Sequence, residues 1–174
     1  RVLYPQGMEW PNMVQRPHHL LRLAGEAGWR IIWWENGVPR YPQEVARNVW
    51  RVHAVQDVKT RGPYDILYLT DPSQLGALRQ AQPLEVRWVV YDRCDLRGAA
   101  EVSLMQLSDL VLAASPLLAT EASYFARRVL YLPNAADTRH FSAGITRVPT
   151  GPPCIGYMGA LSEHLDYALL ERLI

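Results

Sequence analysis

Two acidic residues follow an apolar run and enclose a basic one, a combination that can support chemistry. Asp92 and Asp95 flank Arg93 and Cys94 in the segment that begins at Tyr91. A carboxylate at the end of a strand can accept hydrogen bonds from sugar hydroxyls or act as a general base. We therefore predict that Asp92 and Asp95 are catalytic and that Arg93 contacts the ligand. The alternative is a structural Asp–Arg pair or a helix cap.

A second polar segment follows the first apolar run and leads into a helix-like stretch. It contains Gly7, Trp10, Arg16, His18 and His19. No GxGxxG spacing is present, so the fingerprint of a dinucleotide site is missing. Arginine and histidine beside the start of a helix favour an anion or a sugar as ligand. We predict all five as binding residues. The alternative is that Trp10 fills the core of the loop and His19 packs.

Two later polar turns complete the set of candidate site residues. Asn134 and Asp137 follow an apolar run, and both residue types favour turns through side-chain-to-backbone hydrogen bonds. The segment Ile155–Leu161 is typical of a strand that enters a glycine turn. Gly159 in that turn permits the close approach of a phosphate.

The strands and helices that position these residues are indicated by short apolar runs that alternate with segments of helical periodicity. Strands buried on both faces are continuously apolar, as in a parallel sheet covered by helices. The pattern therefore predicts an α/β, doubly wound, Rossmann-like parallel sheet, in which ligands bind beyond the carboxyl ends of the strands. The predicted strands are Arg1–Tyr4, Arg30–Trp34, Val49–Val55, Asp65–Leu69, Arg87–Tyr91, Leu110–Ala114, Val129–Leu132 and Cys154–Tyr157.

Several helices are marked by their start and stop residues. The first is predicted over Pro17–Ala27, with Gly28 as its left-handed terminator. Asp71-Pro72 and Ser115-Pro116 each follow a strand. In both pairs we expect the first residue to be the N-cap and the proline to occupy the first helical position.

The region 149–153 is rich in proline and glycine, which is typical of a linker between domains. We predict one domain over residues 1–148 and the first βα unit of a second Rossmann-like domain over 154–174. The sequence begins at Arg1 within a strand-like run and ends at Ile174 within a helix-like run, so we expect a fragment. The strand Cys154–Tyr157 would then lack its own sheet, and we expect it to pair elsewhere or to be poorly ordered.

Composition excludes several classes of function. The 174 residues carry 18 Lys+Arg against 17 Asp+Glu, so no global charge attracts nucleic acid. No apolar run is long enough to span a membrane, and no signal peptide precedes the first strand. Cys94 and Cys154 have no zinc-type spacing, so we predict no metal site. Few cysteines fit a reducing cytoplasm.

Five segments in order carry a resemblance to a known family. They are Arg16-Pro-His-His-Leu-Leu, Val90-Tyr-Asp-Arg-Cys-Asp, Ser108-Asp-Leu-Val-Leu-Ala-Ala-Ser-Pro, Leu132-Pro-Asn-Ala-Ala-Asp with His140-Phe141, and Ile155-Gly-Tyr-Met-Gly-Ala-Leu. Together they closely resemble the amino-terminal half of group 1 (family four) glycosyltransferases of the GT-B fold. The members that act in teichuronic acid and cell-surface polysaccharide synthesis look most similar.

The resemblance implies two Rossmann-like domains that face a cleft, with the sugar acceptor on the amino-terminal side. A nucleotide-sugar donor, rather than a cofactor, would bind the second domain. By that resemblance, Gly7 belongs to the loop that faces the donor phosphates, and Arg16, His18 and His19 match the loop-to-helix entry near the acceptor. Asp92 and Asp95 match the polar end of a strand that faces the cleft. Asn134 and Asp137 match the interdomain hinge, and Gly159 matches the first donor-side turn.

The resemblance also implies a sugar transfer to a cell-surface glycan or a lipid-linked acceptor, in the cytoplasm or at the inner face of the membrane. Peripheral membrane association of the full-length protein would follow. We expect this chain alone to be inactive. Two alternatives stay open, namely a nucleotide-sugar epimerase of the same fold and a non-catalytic α/β module that binds a glycan or a partner protein.

Two positions depart from the family pattern. The usual hinge glycine is Ala135 here, and a left-handed alanine would cost about 1 to 2 kcal/mol. The Arg and Lys that commonly follow the donor-side glycine turn are missing from Leu161-Ser-Glu-His-Leu-Asp, which argues against diphosphate binding by that route.

Overall fold

The computed structural model describes residues 1–5, 9–10, 14–35, 37, 41–96, 98–138, 156 and 165–173. Two compact units divide the chain between Ala135 and Ala136, before the predicted boundary after residue 148. The predicted linker 149–153, Gly7 and Gly159 lie outside the described residues, as does the predicted strand Cys154–Tyr157 apart from Gly156.

The described part of the first unit contains an eight-stranded sheet, and its order is β3-β4-β2-β1-β5-β6-β7-β8. Every neighbouring pair is parallel except β3 and β4, which are antiparallel. This architecture confirms the predicted doubly wound Rossmann-like fold. The strands are β1 (Val2–Pro5), β2 (Ile31–Trp34), β3 (Gln43–Ala46), β4 (Val49–Val52), β5 (Tyr64–Leu69), β6 (Val86–Arg93), β7 (Leu110–Ala113) and β8 (Val129–Tyr131).

The helices cover the sheet unequally. Four of them pack on one face, and among the described helices of this unit α1 alone packs on the other. Trp33 and Trp34 show the division between the two faces, because adjacent strand residues point to opposite sides and each tryptophan is buried in a different core. The helices are α1 (Arg16–Glu26), α2 (Val55–Thr60), α3 (Gln74–Ala81), α4 (Ala100–Leu107), α5 (Pro116–Ala122) and, in the second unit, α6 (Tyr167–Leu173).

Two of the predicted helix signals are confirmed and one is wrong. Gly28 has a φ of +95°, and the N–H groups of Gly28 and Trp29 cap the last carbonyls of α1. The Ser115 side chain accepts from the N–H of Leu118, with Pro116 at the first helical position. Asp71 is not an N-cap, because α3 begins only at Gln74 and Asp71 instead accepts from the N–H of Ser73.

Two strand ends differ from the prediction by two or more residues, and one strand was not predicted. The strand β4 ends at Val52, and Val55 already belongs to α2. The edge strand β3 is half-exposed and lacks an apolar run, which is why the sequence pattern did not reveal it. The strand β6 continues through Arg93, so Asp92 and Arg93 belong to the strand and not to the loop after it.

Candidate functional site

The carboxyl edge of the sheet brings Arg16 and Asp92 together although 76 positions separate them. Arg16 is the first residue of α1, and Asp92 lies near the end of β6. The Nε atom of Arg16 donates to both carboxylate oxygens of Asp92, at 3.1 and 2.8 Å. The Asp92 side chain is fully buried, so this ion pair lies below the protein surface and is protected from solvent.

The other nitrogens of Arg16 hold the chain segment that follows β8. Nη1 donates to the Pro133 carbonyl at 3.1 Å and to Asn134 Oδ1 at 3.0 Å. Nη2 donates to the Leu132 carbonyl at 2.9 Å. One guanidinium therefore joins the start of α1 to the ends of β6 and β8, directly before the division between the two units. Of the predicted site residues, Arg16, Asp92 and Asn134 are brought into contact.

Tyr68 is a third member of this network, and the sequence analysis did not identify it. Its hydroxyl donates to Asp92 Oδ2. Burial, together with the negative charge of Asp92, raises the pKa of Tyr68 well above its ordinary value. For Arg16, burial opposes the charge, but the hydrogen bond and charge of Asp92 raise its pKa. Both Asp92 oxygens thus already accept hydrogen bonds, and Asp92 is the anchor of Arg16 in this arrangement.

Arg93 lies on the opposite face of the sheet from Asp92, because side chains alternate along β6. Its Nε and Nη2 donate to Glu101 Oε2 at 3.0 and 2.8 Å, and Nη2 also donates to Glu121 Oε2 at 3.0 Å. Nη1 donates to the Leu118 carbonyl at 2.9 Å. Arg93 therefore joins β6 to α4 and α5, and the structure does not bring it to Asp92.

His18 and Trp10 belong to an aromatic cluster beside the ion pair. The ring of His18 lies 4.6 Å from that of Trp33 and 5.2 Å from that of Trp10. His18 Nδ1 accepts from the N–H of Gln15, which places the ring proton on Nε2, 3.3 Å from the Glu9 carbonyl. Burial lowers the pKa of His18, so the ring is neutral. Trp10 thus has the packing role that we weighed against ligand binding, but the histidine that packs is His18, whereas His19 is exposed.

The remaining predicted residues have simpler positions. His19 is exposed in the first turn of α1, and Asp95 is exposed just after β6. Asp137 lies in the second unit and is half-buried.

Among the non-glycine residues that the structure describes, only Asn48 has a positive φ. Ala135 therefore avoids the left-handed strain that the family pattern would have imposed.

Gln74 and Glu35 fix the loops at this edge, and the sequence pattern did not reveal either residue. Gln74 Oε1 accepts from the N–H groups of Thr70 and Asp71, while its Nε2 donates to the Pro5 carbonyl. Glu35 accepts from the N–H of Trp10. Each is an ordinary polar residue near a strand end, so only the three-dimensional structure shows what it holds.

The described residues contain no group of three or more His, Cys, Asp or Glu side chains able to hold a metal ion. In the same part of the chain, no helix has the length and apolar character needed to cross a membrane.

Comparison with known proteins identifies the type of fold. No protein-family model and no curated protein matches the sequence. A solved structure of sucrose-phosphate synthase from Thermosynechococcus elongatus matches with a TM-score of 0.52 and 12% identity, over 81% of this chain and 92% of that chain. Sucrose-phosphate synthase is a GT-B glycosyltransferase, so the chain has a glycosyltransferase-like fold of the GT-B type. The match does not extend to the teichuronic acid type.

Proposed function

We propose that this chain is the acceptor-side domain of a glycosyltransferase. It would take part in moving a sugar from a nucleotide-sugar donor to a cell-surface glycan or a lipid-linked acceptor. The observation that carries the proposal is the GT-B fold over 81% of the chain. The carboxyl edge of its parallel sheet, where ligands of such sheets bind, also holds a concentration of polar groups around Arg16 and Asp92.

Within that proposal, buried and exposed residues have different roles. The Arg16–Asp92 pair forms the buried base of the proposed acceptor site. Arg16 also fixes Asn134 at the start of the interdomain segment. His19 and Asp95 are exposed at the same edge, and we propose that an acceptor hydroxyl contacts them there. A sugar hydroxyl both donates and accepts, so a carboxylate and an imidazole are suitable partners.

The donor half of the reaction needs cations or dipoles that stabilise a leaving diphosphate. By resemblance these groups lie in the second domain, and the Arg and Lys that usually follow the donor-side turn are missing from residues 161–166. We therefore propose that these 174 residues alone catalyse no transfer. The sequence resemblance supports the cell-surface polysaccharide or teichuronic acid type, and with it a cytoplasmic position at the inner membrane face.

A turnover assay tests the proposal. The purified chain is incubated with UDP-glucose, UDP-N-acetylglucosamine or GDP-mannose, with and without disaccharide acceptors, and the products are followed by NMR. We expect neither glycosidic product nor released nucleotide. Formation of an epimerised nucleotide sugar would instead identify an epimerase, and transfer by the chain alone would contradict the assignment of the donor groups to a second domain.

A further inference from the structure

Glu35 and His53 form a buried polar pair at the carboxyl edge of the sheet. Glu35 directly follows β2, and His53 directly follows β4. These strands are parallel, with Trp34 opposite Val52, so the next residues of the two strands are also opposite each other and point to the same face. The side chains of Glu35 and His53 are only 5% and 9% exposed.

The His53 ring is buried without hydrogen bonds. Its Nε2 atom lies 4.0 Å from Glu35 Oε2, which is beyond hydrogen-bond distance. Within the described part of the chain, neither ring nitrogen of His53 has a hydrogen-bond partner, although both are buried. Buried polar atoms nearly always have such a partner, and an unpaired one indicates a functional role or a bound group.

The Glu35 carboxylate has one occupied oxygen. It accepts from the N–H of Trp10, whose carbonyl accepts from Arg51 Nη1 at 3.0 Å. Among the described residues, no lysine or arginine lies within salt-bridge distance of Glu35. A buried carboxylate is costly unless donors surround it. Glu35 Oε2 therefore favours a ligand group that donates a hydrogen bond.

A hydroxyl group matches both side chains. It donates one hydrogen bond and accepts two, so it can donate to Glu35 Oε2 and accept from a proton on His53 Nε2. An oxygen about 2.8 Å from each of these atoms spans their separation with an angle of about 90°. A phosphate is unsuitable because Glu35 would repel it, and an apolar group would leave both side chains unpaired.

The surface is close to the His53 ring on the side of Nδ1. A side-chain atom added to Gly37 would lie 4.0 Å from Nδ1, and Gly37 is itself exposed. Its φ of +135° favours glycine at this position. The ring therefore lies directly beneath an exposed residue that has no side chain.

The Glu35–His53 pair lies along the same edge as the Arg16–Asp92 pair. Glu35 holds the backbone of Trp10, and the ring of Trp10 lies 5.2 Å from that of His18 in the first turn of α1. Three strand spacings, about 14 Å, separate β2 from β6. A ligand with hydroxyl groups on two sugar rings suits two polar positions at this spacing.

We propose that Glu35 and His53 bind one hydroxyl group of the sugar acceptor, with the carboxylate as hydrogen-bond acceptor and the imidazole as donor. This inference rests on the proposed function and adds a second binding position to the acceptor site. A sugar that lacks this hydroxyl leaves both buried side chains unpaired, so the pair makes the site specific for a hydroxyl at that position.

NMR titration of the isotope-labelled 174-residue chain tests the proposal, with cellobiose, maltose and N,N′-diacetylchitobiose as separate probes. The readouts are the ring signals of His53 and the backbone amides of residues 16–19 and 92–95. The variants are His53→Phe, which keeps a ring of similar shape, and Glu35→Gln, which keeps an acceptor for the N–H of Trp10. The control is Glu85→Gln, which changes an exposed glutamate directly before β6. Circular dichroism checks that each variant is folded.

We expect at least one probe to shift the His53 ring signals together with the amides at the Arg16–Asp92 edge. Both variants should weaken its binding about tenfold, as the loss of a hydrogen bond to a buried polar group does, and Glu85→Gln should bind as the parent does. Among monodeoxy forms of that disaccharide, the one that lacks the contacted hydroxyl should bind equally to the parent and to His53→Phe.

Two results overturn the proposal and leave the proposed function standing. One is a response of residues 16–19 and 92–95 without any response of the His53 ring, which would assign the pair to bound water. The other is binding by His53→Phe that equals binding by the parent. If no probe shifts either set of signals, the proposed acceptor site fails together with this inference.

Discussion

Arg16 Nε donates to both carboxylate oxygens of Asp92, and the same guanidinium holds the three residues that leave the sheet after β8. The pair therefore links the entrance of α1 to the segment that leads towards the second unit. Asp92 is fully buried, and a buried charge without its partner is costly. The ion pair therefore also stabilises the fold.

Replacing Arg16 should therefore destabilise the first unit strongly. We expect Arg16→Gln to lower the free energy of unfolding by about 3 to 5 kcal/mol, because it leaves the Asp92 carboxylate buried without its cation. Urea unfolding followed by circular dichroism measures this. The matched control is Arg22→Gln, which breaks an exposed pair with Glu26 and should cost about 0.5 kcal/mol or less. Equal effects of the two variants would contradict the account.

The two glutamates that hold Arg93 should differ in importance. Glu101 is almost completely buried, whereas the Glu121 side chain is 39% exposed. We expect Glu101→Gln to cost about 3 kcal/mol or more and Glu121→Gln less than about 1 kcal/mol. The same unfolding measurement on both variants gives the comparison. A larger loss for Glu121→Gln would show that Arg93 depends on its exposed partner.

His18 should give the fold a pH dependence of known sign. Burial lowers its pKa below the ordinary 6.5, so the unfolded chain binds this proton at a higher pH than the folded chain does. The His18 contribution to stability is thus complete above about pH 6.5 and is lost as the pH falls below it. We expect His18→Gln to reduce the loss of stability between about pH 7.5 and 5.5. A parent-like response of His18→Gln would exclude this origin.

Two serines at helix starts form a matched pair for the capping interaction. The Ser115 side chain accepts from the N–H of Leu118, whereas the Ser73 side chain makes no capping hydrogen bond at α3. Ser115→Ala should cost about 1 kcal/mol, and Ser73→Ala should be close to neutral. Thermal unfolding of the two variants measures the difference. If they are equal, the Ser115 cap contributes nothing to stability.

The sheet could be predicted from the sequence because its central strands are buried on both faces and are therefore continuously apolar. Ile31–Trp34 is an example, with adjacent tryptophans that enter opposite cores. The edge strand Gln43–Ala46 is half-exposed and pairs with a single neighbour, so it has no such pattern. The start of α3 was predicted too early because the Asp71 side chain forms a local turn with Ser73, and the helix begins only at Gln74.

The candidate site was predictable in its location but not in its contacts. Strand ends indicated Asp92 and the start of α1 indicated Arg16, yet nothing local shows that residues 76 positions apart form an ion pair. Arg93 was grouped with Asp92 because the strand was predicted to stop at Tyr91. Two more residues in the strand place Arg93 on the opposite face. The roles of Asp95, His19 and Asp137 in a reaction stay predictions.

The most direct test of the acceptor-side assignment is a map of backbone amide shifts in the ¹⁵N-labelled chain during titration with a panel of cell-envelope disaccharides. We predict shifts concentrated at residues 16–19, 92–95 and 132–134, at the carboxyl edge of the sheet. Shifts confined to the opposite, amino edge of the sheet, or no shift with any member of the panel, would contradict an acceptor site at the Arg16–Asp92 edge.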